Sequence, residues 1–243
     1  MNYEEYIPST ELSKFIDKFW IASEFENGFS QRVLPEACTN FVFHLNENEG
    51  TSNILGANTK FGQFSPSTKD YYFGVNFNPG ILGVISNEDF SGLKDSFIPT
   101  NDLFPTFNHL FLEQLNERKI DYEKLKFVDN ELKKLLLNKP IKTRFLSTSV
   151  ADLIKKNHKI TTNDISEEYH ISIRHLQRKF KSEVGVSMKT FSRIIRFNKA
   201  IKRIQKNKNE SLLSISFDLG FYDHSHLTNE IKYFAGIQPS ELR

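Results

Sequence analysis

The 243-residue chain is 38% apolar, 26% charged and 13% aromatic, a composition that excludes disordered and collagen-like classes, and its length exceeds the usual single domain. One cysteine, Cys38, excludes a disulfide framework and a thiolate metal cluster. The net charge of +2 conceals an asymmetry: residues 1–144 hold 15 Lys/Arg against 20 Asp/Glu, and residues 145–243 hold 17 against 10. A basic module beside an acidic one suits a polyanionic ligand for the basic half, because Lys and Arg release counterions from phosphates, although charge alone also fits a solvated surface.

The opening segment MNYEEYIPSTELSKF carries acids where a secretion signal needs basic residues, and no apolar run approaches the roughly 18 residues of a membrane span. The expectation is a soluble cytoplasmic chain without a membrane partner. From Phe41 to Ile85 the chain is rich in Phe, Val, Ile and Tyr, broken by turn-like clusters at Asn46–Ser52, Ser65–Asp70 and Asn78-Pro79-Gly80, which predicts short strands. Partial period-two patterns in Asn40–Leu45 and Tyr71–Phe77 suit a sandwich or barrel. Beyond Pro105, Phe107, Leu110, Phe111 and Leu115, then Leu125, Val128, Leu132, Leu135 and Leu136, recur at three- and four-residue steps and predict two amphipathic helices. Pro140 and the change of charge sign place the domain boundary near 138–146.

The last hundred residues contain an internal repeat. His175-Leu176 falls on His226-Leu227, Phe180 on Ile231, Lys181 on Lys232 and Gly185 on Gly236, each 51 positions later, while Ile165-Ser166 falls on Ile215-Ser216, 50 positions later. Thr161 with Asp164 forms a candidate capping box; Ser172, Ser211 and Asp223 are candidate helix caps. Each copy reads as helix, short turn, helix. Between them Phe191, Ile194, Ile195, Ile201 and Ile204 follow helical spacing and predict a connecting helix, its charge supplied by Arg193, Arg196, Lys199, Lys202 and Arg203. The expected fold class is therefore α+β: a β-rich domain over 1–138 with accessory helices near 107–137, a linker at 139–146, and an all-α domain over 147–243 with two helix-turn-helix units.

In such a unit the second helix enters the major groove, where base pairs are distinguishable. In the first copy Ile173, Leu176 and Phe180 are expected inward, leaving Arg174, His175, Gln177 and Arg178 to face bases; Arg suits guanine and Gln suits adenine. In the second, Leu227, Ile231 and Phe234 are expected inward, leaving His224, Ser225, Thr228 and Asn229 outward.

At Ser172–Gly185 (SIRHLQRKFKSEVG) and Leu219–Arg243 (LGFYDHSHLTNEIKYFAGIQPSELR) the chain resembles the AraC/XylS family of bacterial transcription regulators. The resemblance implies two units held by one linker helix on one face of double-stranded DNA, with base reading by the eight residues just named. Phosphate contacts would come from Ser172, Lys181, Arg193, Arg196 and Lys232. Three positions depart from the family pattern: Asn229 stands where a basic residue is frequent, Glu230 follows it and would be repelled by phosphates, and His170 stands where the turn often has glycine. Through Tyr6-Ile7-Pro8 with Leu12, Phe15 and Trp20, through Arg32–Pro35 and through Gly74–Gly80, the N-terminal half resembles a sensor domain attached to some of these regulators. That resemblance implies a small-molecule effector or a homodimer, with RNA polymerase a compatible partner. Sixteen Phe precede position 145 and would either line an apolar pocket or form ordinary core.

Other readings are weaker. His224 and His226, two apart, lie on different helix faces and do not suit a shared metal; His44 and His109 are too few for a metal-dependent barrel; neither a phosphate-binding glycine loop nor a nucleophile elbow is present. No cofactor or metal is expected, and no enzyme. The competing enzyme hypothesis rests on Cys38 as nucleophile with His44 as its base, against Cys38 as a small buried hydrophobe. A third reading makes the first 144 residues a dimerisation module alone.

Overall fold

The computed structural model describes residues 1–47, 50–137, 146–157 and 160–242. Six strands form an antiparallel sheet in the order β1–β2–β7–β4–β5–β8: β1 Asn2–Tyr6, β2 Ile16–Ser23, β4 Asn40–Leu45, β5 Gly50–Leu55, β7 Tyr71–Phe77 and β8 Phe97–Pro99. A two-stranded ribbon pairs β3, Gln31–Val33, with β6, Gly62–Phe64. Alternation fixes which face is inside: Phe41, Phe43 and Leu45 of β4 and Phe73, Val75 and Phe77 of β7 are fully buried on one face.

That face is covered by α3, His109–Glu117, and α4, Asp121–Leu137, through Phe111, Leu115, Val128, Leu132 and Leu136. The Phe41 ring lies 4.7 Å from Phe77, 5.5 Å from Phe104 and 5.2 Å from Phe107, and Phe43 lies 5.2 Å from Phe111. Ring centroids at these separations are in packing contact. The phenylalanines at the centre of this domain are thus its core.

The chain is α+β, as its patterning predicts, and the departures from the expected elements have local causes. The strand-rich reading of 41–85 overruns into α1, Ile81–Ser86, because Gly80 takes a left-handed conformation (φ 85°) and turns the chain out of the sheet. The two amphipathic helices are present, but Leu110 is 54% exposed: Asn108 caps α3 by accepting from the Phe111 N–H, which places Leu110 on the outer side of the first turn. The expected linker at 139–146 lies, apart from Leu146, outside the described residues.

The helical domain contains α5, Leu146–Lys156; α6, Thr162–Tyr169; α7, Ile173–Val184; α8, Met188–Lys206; α9, Leu212–Asp218; and α10, His224–Ala235, followed by a 3₁₀ turn at Pro239–Leu242. Helix α8 is the axle. Its buried stripe of Phe191, Ile194, Phe197, Ala200, Ile201 and Ile204 packs against α5, α7, α9 and α10. Between the short helix α2, Thr100–Leu103, and α1 lies a further 3₁₀ turn, Phe90–Leu93, which with α1 rests on α7.

The two domains meet at small residues. Ala37 and Ala57 join the core of the helical domain, Asn198 Nδ2 donates to the Pro35 carbonyl (3.0 Å), and Thr148 Oγ1 donates to the Pro79 carbonyl (2.8 Å). Gly83 of α1 lies against the backbone of Glu183, where a Cβ would come within 2.7 Å of Glu183 Cα and O. Only glycine permits that approach.

Candidate nucleic-acid interface

Both copies of the repeat fold alike, and the repeated sequence sets their geometry. Thr161 caps α6 in a reciprocal capping box with Asp164, and Ser211 caps α9 by accepting from the Ser214 N–H (3.1 Å). Each first helix then stops on a left-handed residue, His170 at φ 52° and Gly220 at φ 72°. The turn is closed by the same bond in both: the Ile171 N–H donates to Ser166 O (3.1 Å) and the Phe221 N–H to Ser216 O (2.9 Å). His170 therefore adopts the glycine-like conformation its position demands. Each second helix starts on a capping side chain, Ser172 accepting from the His175 N–H (3.3 Å) and Asp223 from the His226 N–H (2.7 Å).

On α7 the inward residues are Leu176 and Phe180, both fully buried. Ile173, expected inward, is 39% exposed; as the first residue of the helix it lies beyond the packed stripe. Arg174, His175, Gln177 and Arg178 are all exposed, as are Ser172 and Lys181. On α10, Leu227, Ile231 and Phe234 are fully buried, while His224, Ser225, Asn229 and Lys232 are exposed. Thr228 is half-buried, and its hydroxyl donates to the His224 carbonyl one turn back (2.9 Å).

Arg193 and Arg196 stand differently from the expected phosphate contacts. Arg193 is bound to Glu230 through Nε (3.0 Å) and Nη2 (2.8 Å), and Arg196 Nη1 donates to the Gly220 carbonyl (2.8 Å). Both guanidinium groups make hydrogen bonds inside the domain, while 28% of the Arg193 side chain stays exposed. Glu230, expected to be repelled by phosphate, has a buried side chain paired with Arg193.

The first unit has a neighbour that sequence reading missed. Glu183 near the end of α7 accepts from Ser147 Oγ (2.5 Å) and from Lys179 Nζ (2.6 Å). An open groove of about 340 Å³ separates His175, Arg178 and Lys179 of α7 from Asn87, Glu88 and Asp89 of the N-terminal domain. The signal that existed was Gly83, obscured by reading its helix as a strand.

Among the described residues no group of three or more His, Cys, Asp or Glu side chains is placed to hold a metal ion, and no helix is long and apolar enough to cross a membrane. Cys38 and His44 do not pair. The Cys38 thiol faces Glu36 and Asn40, whereas His44 Nε2 bonds Asp70 (2.8 Å) and its ring stacks on Tyr72. Burial, followed by the Glu36 charge, raises the Cys38 thiol well above its ordinary value and so disfavours the nucleophilic thiolate.

Residues 165–243 match the family model for a helix-turn-helix domain, and residues 4–99 match that of a domain of unknown function (DUF6597). The C-terminal domain is a helix-turn-helix domain. An uncharacterized HTH-type transcriptional regulator of Bacillus subtilis (strain 168), YfiF, is 37% identical over 100 residues, covering 40% of this chain and 31% of that protein. The match thus spans about a third of the length of the curated relative. Among solved structures, ToxT from Vibrio cholerae covers 99% of this chain and 97% of its own at 14% identity and a TM-score of 0.47. The C-terminal domain of AraT from Geobacillus stearothermophilus covers 42% of this chain and 86% of its own at 20% identity and a TM-score of 0.39.

Proposed function

We propose that this protein is a transcription regulator that binds specific double-stranded DNA through α7 and α10. The observation that carries the reading is the paired presentation of polar side chains: Arg174, His175, Gln177 and Arg178 on one capped helix, and His224, Ser225, Thr228 and Asn229 on its repeat. Each set lies opposite a fully buried apolar stripe, which leaves all but the half-buried Thr228 exposed to meet base edges. Ser172, Lys181 and Lys232 are the exposed candidates for phosphate. Arg178→Ala should lower affinity for a selected duplex by about 1–3 kcal/mol, about fivefold or more, while weak binding to unrelated duplex falls far less. The measurement is retention of genomic fragments by purified full-length protein at physiological salt. Equal retention by Arg178→Ala would remove that residue from the site, and indiscriminate retention by both would replace specific regulation with architectural binding.

Effector sensing belongs to the junction between domains rather than to the ring-filled interior of the sheet domain. A cleft of about 340 Å³ there is lined by Lys18, Glu36 and Asn76 from one domain and by Lys155, Asn198 and Lys199 from the other. A ligand in it would touch both domains at once and bias their relative position. A panel of anionic metabolites should contain one that raises the melting temperature of wild type but not of Lys199→Glu and that changes DNA retention. If no member changes DNA retention, the N-terminal domain is better assigned to homodimerisation, with contacts to RNA polymerase made from the bound complex.

A further inference from the structure

Residue 230 is an unusual place for a carboxylate. It sits on α10 beside the fully buried Ile231, its own exposure is 7%, and an ionised carboxylate so placed is costly without a bonded partner. Arg193 of α8 is that partner. Its guanidinium meets both carboxylate oxygens, the bidentate geometry that fixes direction as well as distance. The guanidinium carbon also lies 5.0 Å from the Tyr233 ring centre and 5.1 Å from that of Phe234. One α8 side chain therefore contacts three residues of α10, spread over about one turn.

Arg196, one turn further along α8, bonds the Gly220 carbonyl in the turn before α10 and lies 5.2 Å from the Phe221 ring. Among the described residues the first unit has no arginine–carboxylate pair at the equivalent position; its buried carboxylate, Glu183, accepts from Ser147 of α5 instead. Fifty-one positions before Glu230 stands Lys179, which bonds Glu183 on its own helix. The geometry matters for reading because neighbouring residues on a helix are about 100° apart. Holding position 230 inward turns Asn229, and Ser225 one turn earlier, outward.

We propose that Arg193 and Glu230 are a positioning pair that sets the rotation of α10 and so decides which bases the second unit reads. The proposal rests on the DNA-binding reading above and gives Arg193 a role other than phosphate contact. A polar lock differs from apolar packing in being directional: replacing both partners with apolar groups can keep stability while losing orientation.

The test is selection from a random duplex pool by full-length wild type, Glu230→Gln, and the double variant Arg193→Met with Glu230→Leu, alongside amide exchange. Wild type should enrich two sequence elements. The double variant should keep its melting temperature and the first element but lose about tenfold in discrimination at the second, with α10 amides exchanging about tenfold faster and α7 amides unchanged. Glu230→Gln should show the same loss to a smaller degree. If the double variant enriches the wild-type second element, the pair only fills space and the proposal fails. Should wild type enrich no sequence, the DNA-binding reading falls separately, and the exchange decides the pair: unchanged α10 exchange overturns it, and faster exchange confined to α10 supports it.

Discussion

The two helix-turn-helix units share caps, turns and buried stripes, yet they are held by different neighbours. The second is gripped by arginines of the connecting helix: Arg193 on α10, Arg196 on the turn, and Arg203 on Glu210 and Asp218 at the two ends of α9. The first leans on the other domain, with Gly83 against Glu183 and Asn87–Asp89 across a groove from Arg178. The N-terminal domain therefore meets the first unit at the Glu183 backbone near the end of α7, and the second at the C-cap of α10, where Gly236 lies against the Phe61 ring. The duplication made two similar units, and their surroundings hold them by different contacts.

The contact that makes the first unit different is also the easiest to break. In Gly83→Val the new Cβ would meet Glu183 backbone at 2.7 Å, and backbone cannot swing aside as a side-chain tip does. Overpacking of this kind costs about 1–3 kcal/mol. Amides of α7 should lose exchange protection and those of α10 should not; equal loss in both would show that the units are not separately held. Of comparable size is the base-reading difference. Gln177→Ala should erase about 1–3 kcal/mol of discrimination at one position of a selected duplex, while Asn229→Ala, on the helix with the shorter polar side chains, should cost less. An equal or larger loss for Asn229→Ala would reverse the ranking of the two readers.

A smaller effect should come from the acidic rim. Glu88 and Asp89 are exposed across the groove from Arg178 and would approach the backbone of a duplex bound by α7. Glu88→Gln with Asp89→Asn leaves the Asp89 capping position able to accept from the Ser91 N–H while removing both charges. Exposed charges are worth about 0.2–1 kcal/mol each, so DNA affinity should rise a few-fold, less at high salt. Unchanged affinity at low salt would place the rim away from the bound duplex.

How much of this was legible follows from what each signal depends on. Caps and helix spacing are local, so Thr161, Asp164, Ser172, Ser211 and Asp223 could be read directly, and so could the outward sets on α7 and α10 apart from Thr228, which is half-buried. Roles set by distant partners could not. Nothing near Arg193 announces Glu230, 37 residues away, and a charged residue on a helix face reads equally as solvated, phosphate-binding or paired. Ile81–Ser86 read as strand because a short apolar run has no decisive period, and the glycine that would have marked a close approach was hidden within it. Ring packing likewise resolved what composition left open: whether the early phenylalanines lined a chamber or filled it.

The finest distinction between the units concerns protons. In the first, the Thr161 N–H donates to the Asp164 carboxylate (2.8 Å), and the Thr161 bonds to backbone and then side chain hold that carboxyl below its ordinary value. At the equivalent place in the second unit stands Ser214, whose N–H bonds Ser211 Oγ but which carries no titrating group. A carboxyl with a depressed folded pKa adds stability above its unfolded pKa, near 3.9, and loses it as pH falls through the lower folded value. Acidification should therefore loosen the start of α6 before that of α9. The Thr161 amide proton should titrate with a midpoint below 3.9, the Ser211 amide should not follow it, and Asp164→Asn should abolish the step; a midpoint at or above the ordinary aspartate value would mean that the box does not favour the charged form. Because Asp164 is exposed the change is confined to the first turn, so the asymmetry it reveals is local, unlike the one Gly83 creates between whole units.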